Sequence, residues 1–172
     1  MTQHAPPSLS IKVRSALFFV LYNLAGIFHS FLCVLIGPFL PLHARHRFIN
    51  LWTRFAMWLD QHLNRITVKI EGQEHLTDDP CVILANHQSS WETFMLPGML
   101  PPQVQVIKKE LTSIPIFGWY LAMMGPITVD RSQRTTALKE LVKQGTKRLN
   151  NGFHVLIFPE GSRVPAGARK AF

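Results

Sequence analysis

The 172-residue chain predicts an α/β fold, a mixed sheet flanked by helices, preceded by an N-terminal membrane helix or two-helix membrane motif. Three observations predict it. No Asp, Glu, Lys or Arg lies between Arg14 and Arg45. From residue 66 onward, short β-branched runs alternate with helical stretches, the pattern of a sheet with helices on its faces. The most distinctive polar motifs follow directly on predicted strands, where α/β sheets collect their functional loops. The expected divisions are a polar tail at 1–14, a membrane-anchoring helical segment at 15–63 and a chemistry-bearing domain at 64–172.

Ser15 to Ile36 is an apolar run broken only by small or weakly polar residues such as Asn23 and Ser30. About 22 residues at about 1.5 Å each reach about 33 Å, close to the hydrocarbon thickness of a bilayer. No small-residue cleavage site follows, so the run does not read as a signal peptide. Gly37, Pro38 and Pro41 then break the helix. Residues 43–63 place Phe48, Leu51, Trp52, Phe55, Leu59 and Leu63 at helical spacing, with Arg45, Arg47 and Arg54 largely off that stripe. Such a helix suits a membrane interface or packs on the following domain. Basic residues after the run outnumber those before it, which places the bulk of the chain in the cytoplasm, at the inner membrane if the source is bacterial. A re-entrant hairpin gives the same sidedness.

Strands are expected at Ile66–Ile70, Cys81–Ala85, Val104–Ile107, Ile127–Val129 and Val155–Phe158, with helices at Trp91–Leu100, Ile116–Met124 and Ser132–Asn150. The formal charge of +8 draws the chain toward anions: nucleic acid, a phospholipid surface or a phosphorylated substrate. The basic residues are scattered and no nucleic-acid motif accompanies them, which argues against nucleic acid. Cys33 and Cys81 sit in apolar stretches without a CxxC pair, as reduced, buried thiols would.

The strongest motif, Asn86-His87-Gln88-Ser89-Ser90-Trp91-Glu92, leaves an apolar strand. Imidazole exchanges protons near neutrality, and a carboxylate on one ring nitrogen leaves the other free to act as a base. Glu92 is the nearest candidate partner for His87. On one continuous helix, residues five apart point about 140° from each other, so the pairing requires a turn at 87–89 and a helix beginning near Ser90. Ser89 or Ser90 as N-cap fits that requirement. A second motif, Phe158-Pro159-Glu160-Gly161-Ser162-Arg163, supplies a glycine for close backbone approach, an arginine fork for phosphate and a carboxylate for a polyol hydroxyl. A third, Asp130-Arg131-Ser132, sets Arg131 near the start of a long helix, where an anion is favoured. A fourth runs from Lys108-Lys109-Glu110-Leu111 into Ile114-Pro115-Ile116-Phe117-Gly118-Trp119, joining basic and apolar surfaces. Taken singly, the last three also fit an ordinary turn, a capped helix and solvated lysines.

In that order, the four stretches resemble the 1-acylglycerol-3-phosphate acyltransferases of the glycerolipid acyltransferase family, over residues 60 to 163. The resemblance implies acyl transfer from acyl-CoA or acyl carrier protein to the free hydroxyl of lysophosphatidate, giving phosphatidate at a membrane phospholipid surface. It makes His87 the base and Glu92 its orienting carboxylate, with Arg131, Glu160, Gly161, Ser162 and Arg163 on the phosphorylated acceptor and Lys108 as a further anion contact. No metal is expected, because the His and carboxylates do not form a usual ligand spacing, and no cofactor beyond the thioester co-substrate, acyl-CoA or acyl carrier protein. Glu92 stands where the family usually has aspartate, which marks a subtype. Family domains usually continue through further strands and helices, so the resemblance implies a chain truncated or divergent near Phe172. Two rivals are a related acyltransferase with glycerol 3-phosphate or another lysolipid as acceptor, and a non-catalytic basic membrane-binding protein. An acceptor panel separates the first, and binding that survives His87→Ala and Glu92→Ala without acyl transfer identifies the second.

Overall fold

The computed structural model describes residues 8–115, 117–130, 132, 134–165 and 167–168, apart from the side chains of Phe94, Arg134 and Thr135. Helix α1 (Leu9–Ile36) begins earlier than the apolar run alone suggests, because Ile11 and Val13 continue its apolar surface across Lys12. The stretch Leu9–Phe39 is long and apolar enough to cross a membrane, with a mean hydropathy of 2.0. A Gly-Pro turn (Gly37–Phe39) separates it from α2 (Leu42–Leu59), which widens at its end into a single π turn (Asp60–Asn64) closed by Arg65 in the left-handed region.

One face of α1 is not apolar in the simple sense. Tyr22, Gly26, His29 and Cys33 recur at helical spacing and meet α2: Tyr22 packs on Trp52 at 4.8 Å, and His29 Nε2 lies 3.2 Å from the Phe48 carbonyl. Gly26 permits this approach, since a Cβ there would sit 3.1 Å from the Trp52 ring. Cys33 is buried with Ile49 of α2 and Tyr120. The remaining faces expose Phe19, Leu24, Ile27, Phe28 and Phe31, an uncovered apolar surface of the kind lipid covers.

Four strands, β1 (Val82–Leu84), β2 (Gln103–Lys108), β3 (Ile127–Val129) and β4 (His154–Ile157), form a sheet in the order β1-β4-β2-β3. Each pairing among the described residues is parallel, so the expected mixed sheet narrows to a parallel one. Helices α3 (Trp91–Met99), α4 (Phe117–Met123) and α5 (Arg134–Asn150) supply the crossovers that parallel strands require. Leu141 and Leu149 of α5 pack on Val104, Ile127, Phe153 and Val155, the fully buried core. Across the sheet, Gln105 Nε2 donates to the Thr93 carbonyl of α3 at 3.0 Å.

The strand expected at Ile66–Ile70 is absent. Its alternating Ile66, Val68 and Ile70 are exposed, and no ladder bonds join it to another strand among the described residues. β-Branched alternation describes a surface suited to a sheet, but a strand also needs a neighbour, and that pairing is non-local.

Candidate active site

Parallel strands deliver their successors to one end of the sheet, and both principal motifs arrive there from neighbouring strands. Residues 86–92 follow β1 and residues 158–164 follow β4, whose ladder ends at the Ala85 amide bonded to the Ile157 carbonyl at 3.1 Å.

His87 leaves the strand and turns before α3. Its Nδ1 lies 3.0 Å from Glu92 Oε1, and both side chains are mostly buried, at 19% and 16% exposure. The pairing is built by a helix cap. Ser89 Oγ accepts the Trp91 amide at 3.0 Å and donates to Glu92 Oε2 at 2.6 Å, while Glu92 Oε1 accepts the Ser89 amide at 2.7 Å and the Gln88 amide at 2.6 Å. This is the Ser-x-x-Glu pattern of a capping box, with Glu92 reaching back to the Ser89 amide and the serine hydroxyl taking the amide of Trp91 instead of that of Glu92. Ser90 is already in helical geometry. The expected turn at 87–89 is therefore present, with Ser89 as the capping side chain. Burial alone would push the Glu92 carboxyl up, but hydrogen bonds from the Ser89 hydroxyl and amide, its own amide and His87 outweigh it and hold it at about 2. Glu92 is thus ionised at any ordinary pH. An ionised carboxylate only accepts, so Nδ1 of His87 carries hydrogen, and in the neutral ring the lone pair falls on Nε2. Among the described residues Nε2 has no hydrogen-bond partner.

The second motif folds over the first. Phe158 stacks on the His87 ring at 4.3 Å, and the Val164 amide donates to the His87 carbonyl at 2.8 Å. Between them Gly161, at φ 67°, closes the turn by donating to the Phe158 carbonyl at 3.0 Å, a conformation that strains any residue with a Cβ. Arg163 Nη1 donates to Ser90 Oγ at 3.1 Å. Glu160 turns inward instead: it is 7% exposed, and its Oε1 accepts from Asn86 Nδ2 at 2.9 Å.

These loops border a cavity of about 510 Å³. Its lining includes the polar side chains of His87, Lys108, Ser162 and Arg163, together with the apolar ones of Trp52 from α2, Tyr120 and Leu121 from α4, and Met124 just past α4. The structure therefore gathers His87, Lys108, Gly161, Ser162 and Arg163 around one space with Glu92 behind His87, whereas Glu160 does not line it. Arg131 lies outside the described residues. Its neighbour Asp130 accepts the Ser132 hydroxyl at 2.6 Å and amide at 3.0 Å, bonds that hold its carboxyl below the usual range. A second cavity, of about 550 Å³, lies between α2, α3 and residues 66–70, and the Thr53 side of α2 is common to both. Among the described residues no titratable pair comparable to His87–Glu92 faces it. Among the described residues no three His, Cys, Asp or Glu side chains converge as metal ligands would.

The sequence did not point to the contributions of Trp52, Tyr120 and Phe158, nor to the Asn86–Glu160 bond, whose partners are 74 positions apart. Only the placement of Asn86 and Phe158 inside the motifs hinted at a role.

Residues 67–172 match the family described as acyltransferase. A 1-acyl-sn-glycerol-3-phosphate acyltransferase of Pseudomonas aeruginosa is 46% identical over 161 residues, 93% of this chain and 63% of that protein. The enzyme of the same name from Saccharomyces cerevisiae is 34% identical over 139 residues, 80% of this chain and 44% of its own length. The chain thus spans less than two thirds of either relative. The crystal structure of a 1-acyl-sn-glycerophosphate (LPA) acyltransferase from Thermotoga maritima superposes with a TM-score of 0.69 at 26% identity, covering 94% of this chain and 67% of that one.

Proposed function

We propose, for a chain that belongs to the acyltransferase family, that it moves a fatty acyl group from acyl-CoA or acyl carrier protein to the sn-2 hydroxyl of 1-acylglycerol 3-phosphate, giving phosphatidate for phospholipid synthesis. The observation that carries this reading is the His87–Glu92 pair, with His87 on the wall of a cavity lined both by the basic side chains of Lys108 and Arg163 and by apolar ones. In the step, Nε2 takes the proton of the acceptor hydroxyl as its oxygen attacks the thioester carbonyl. The tetrahedral intermediate then collapses, the carbon–sulfur bond breaks, and the imidazolium returns the proton to the departing thiolate. No acyl-enzyme forms. Glu92 fixes the tautomer and favours the imidazolium while it exists.

Lys108 and Arg163 offer cationic donors to the acceptor's phosphate, with Arg131 assigned the same role by its motif. The apolar wall of Trp52, Tyr120, Leu121 and Met124 suits an acyl chain. The chain is membrane-associated through α1, whose uncovered faces suit lipid. The basic residues after α1 support a domain on the cytoplasmic side, at the inner membrane of a bacterial cell.

The test is an acceptor panel on the full chain with a radiolabelled acyl thioester: 1-acylglycerol 3-phosphate, glycerol 3-phosphate and other lysophospholipids. Transfer is expected to be fastest to 1-acylglycerol 3-phosphate. Faster transfer to another acceptor reassigns the substrate, and no transfer to any acceptor removes the enzymatic reading.

A further inference from the structure

Glu160 stands in the motif that the resemblance assigns to substrate, yet its carboxylate points away from the substrate's space. It is more than nine-tenths buried and does not border the cavity, although Gly161, Ser162 and Arg163 beside it do. Its Oε1 is engaged by Asn86, the residue immediately before His87. The location of that bond matters. Among the described residues β1 is an edge strand paired with β4 alone, and its residues Val82 and Leu84 are exposed. The backbone ladder between the two strands ends at Ala85, two residues short of the imidazole. Beyond it the connection continues through Asn86 Nδ2 to Glu160 at 2.9 Å, and then through the Val164 amide to the His87 carbonyl at 2.8 Å. His87 is thus tied on both sides along the chain, in register with the turn whose Phe158 stacks on its ring.

We propose that Glu160 and Asn86 are a positioning pair: the carboxylate holds the end of β1, and thereby the imidazole of His87, instead of contacting the acyl acceptor. The kinetic consequences rest on the acyl-transfer reading above, whereas the coupling between the two side chains does not. A base displaced by about 1 Å loses rate while the rest of the cavity still binds substrate, so the pair acts on kcat and leaves KM for the acceptor alone.

The experiment compares Glu160→Ala, Glu160→Gln, Asn86→Asp and the double variant Asn86→Asp/Glu160→Gln in the full chain, reading kcat, KM for 1-acylglycerol 3-phosphate and thermal unfolding. Glu160→Ala should lower kcat by about tenfold to a hundredfold with KM within about twofold. Glu160→Gln should recover most of that loss, because an amide oxygen still accepts from Asn86. Asn86→Asp sets two carboxylates against each other and should lower both kcat and the melting temperature. The double variant reverses donor and acceptor, the glutamine amide now donating to the aspartate, and should regain both. A rise in the acceptor's KM in Glu160→Ala and Glu160→Gln with kcat preserved overturns the proposal, as does a double variant no better than Asn86→Asp. Should the parent chain transfer no acyl group, the function fails instead, and recovery of the melting temperature in the double variant still decides whether the pair is coupled.

Discussion

The β1–β4 ladder carries a histidine at each end, and the two are wired in opposite senses. At the amino end, His154 is 3% exposed, and its Nδ1 accepts the Cys81 amide at 3.3 Å, with the Cys81 sulfur at 3.4 Å. A backbone amide can only donate, so hydrogen on this ring sits at Nε2. At the carboxyl end, His87 faces a carboxylate that can only accept, so hydrogen sits at Nδ1, and the neutral ring has its lone pair on Nε2, in a residue that lines the cavity. A polar partner within bonding distance is common to both. What separates a structural imidazole from a potential base is which kind of partner holds Nδ1 and whether Nε2 meets an accessible space.

Removing each ring tests the contrast. His87→Ala is expected to lower kcat by about 10² to 10⁴ while the far-ultraviolet circular dichroism stays that of the parent chain. A variant that kept more than about a tenth of the parent rate would show that His87 is not the base.

A third histidine sharpens the comparison through pH. His46 of α2 is 3% exposed and lies against Phe153 at 4.9 Å. Burial, together with the charges of Arg148, His43 and Arg45, pushes it down from 6.5 to about 4. Above 6.5 it is neutral folded or unfolded and contributes no pH dependence. As pH falls from 6.5 toward 4, the unfolded chain takes up a proton that the folded chain refuses, so stability declines, by about 3 kcal/mol in total, and declines no further on this account below 4. Melting curves at stepwise lower pH should show that loss. In His46→Phe the slope over this window should flatten, and an unchanged slope would place its origin elsewhere.

The His87–Glu92 geometry was legible from sequence because its determinants are local. Ser89-x-x-Glu92 is a helix-start signal, and the same glutamate that caps α3 is placed opposite His87, so one spacing encodes both the turn and the pair. The carboxyl-end location followed from strands alternating with helices. Information held in pairing across the chain was not legible. Ile66–Ile70 has the alternation of a strand without a partner among the described residues, and Glu160 carries a carboxylate whose inward direction is decided by Asn86. In α1, the stripe of Tyr22, Gly26, His29 and Cys33 was present in the letters, but its meaning depends on Trp52 and Tyr120 lying opposite.

His154→Ala supplies the complementary test at the amino end of the ladder. Loss of the ring leaves the Cys81 amide without its acceptor and opens space beneath the sheet, a cost of about 1–3 kcal/mol in stability. Turnover per folded molecule should stay within about twofold of the parent, since the two ring sites share no partner. Denaturant unfolding alongside kcat measures both. A loss of kcat comparable to that of His87→Ala would break the contrast.

The smallest expected effect falls where structure and chemistry share one residue. Ser89 accepts the Trp91 amide and donates to Glu92 Oε2, so Ser89→Ala removes a helix cap and one of the bonds that hold the carboxylate against His87. The cap contributes about 1 kcal/mol to stability. Glu92 keeps the amides of Gln88 and Ser89, which hold Oε1 but not Oε2, so the carboxylate gains rotational freedom without leaving the imidazole. The expected outcome is a modest decline in both melting temperature and kcat, with Ser89→Thr restoring both because a threonine hydroxyl caps as serine does. If stability fell while kcat did not move, the amides alone would suffice to aim Glu92, and the coupling of cap to base would lie in the backbone turn rather than in the serine hydroxyl.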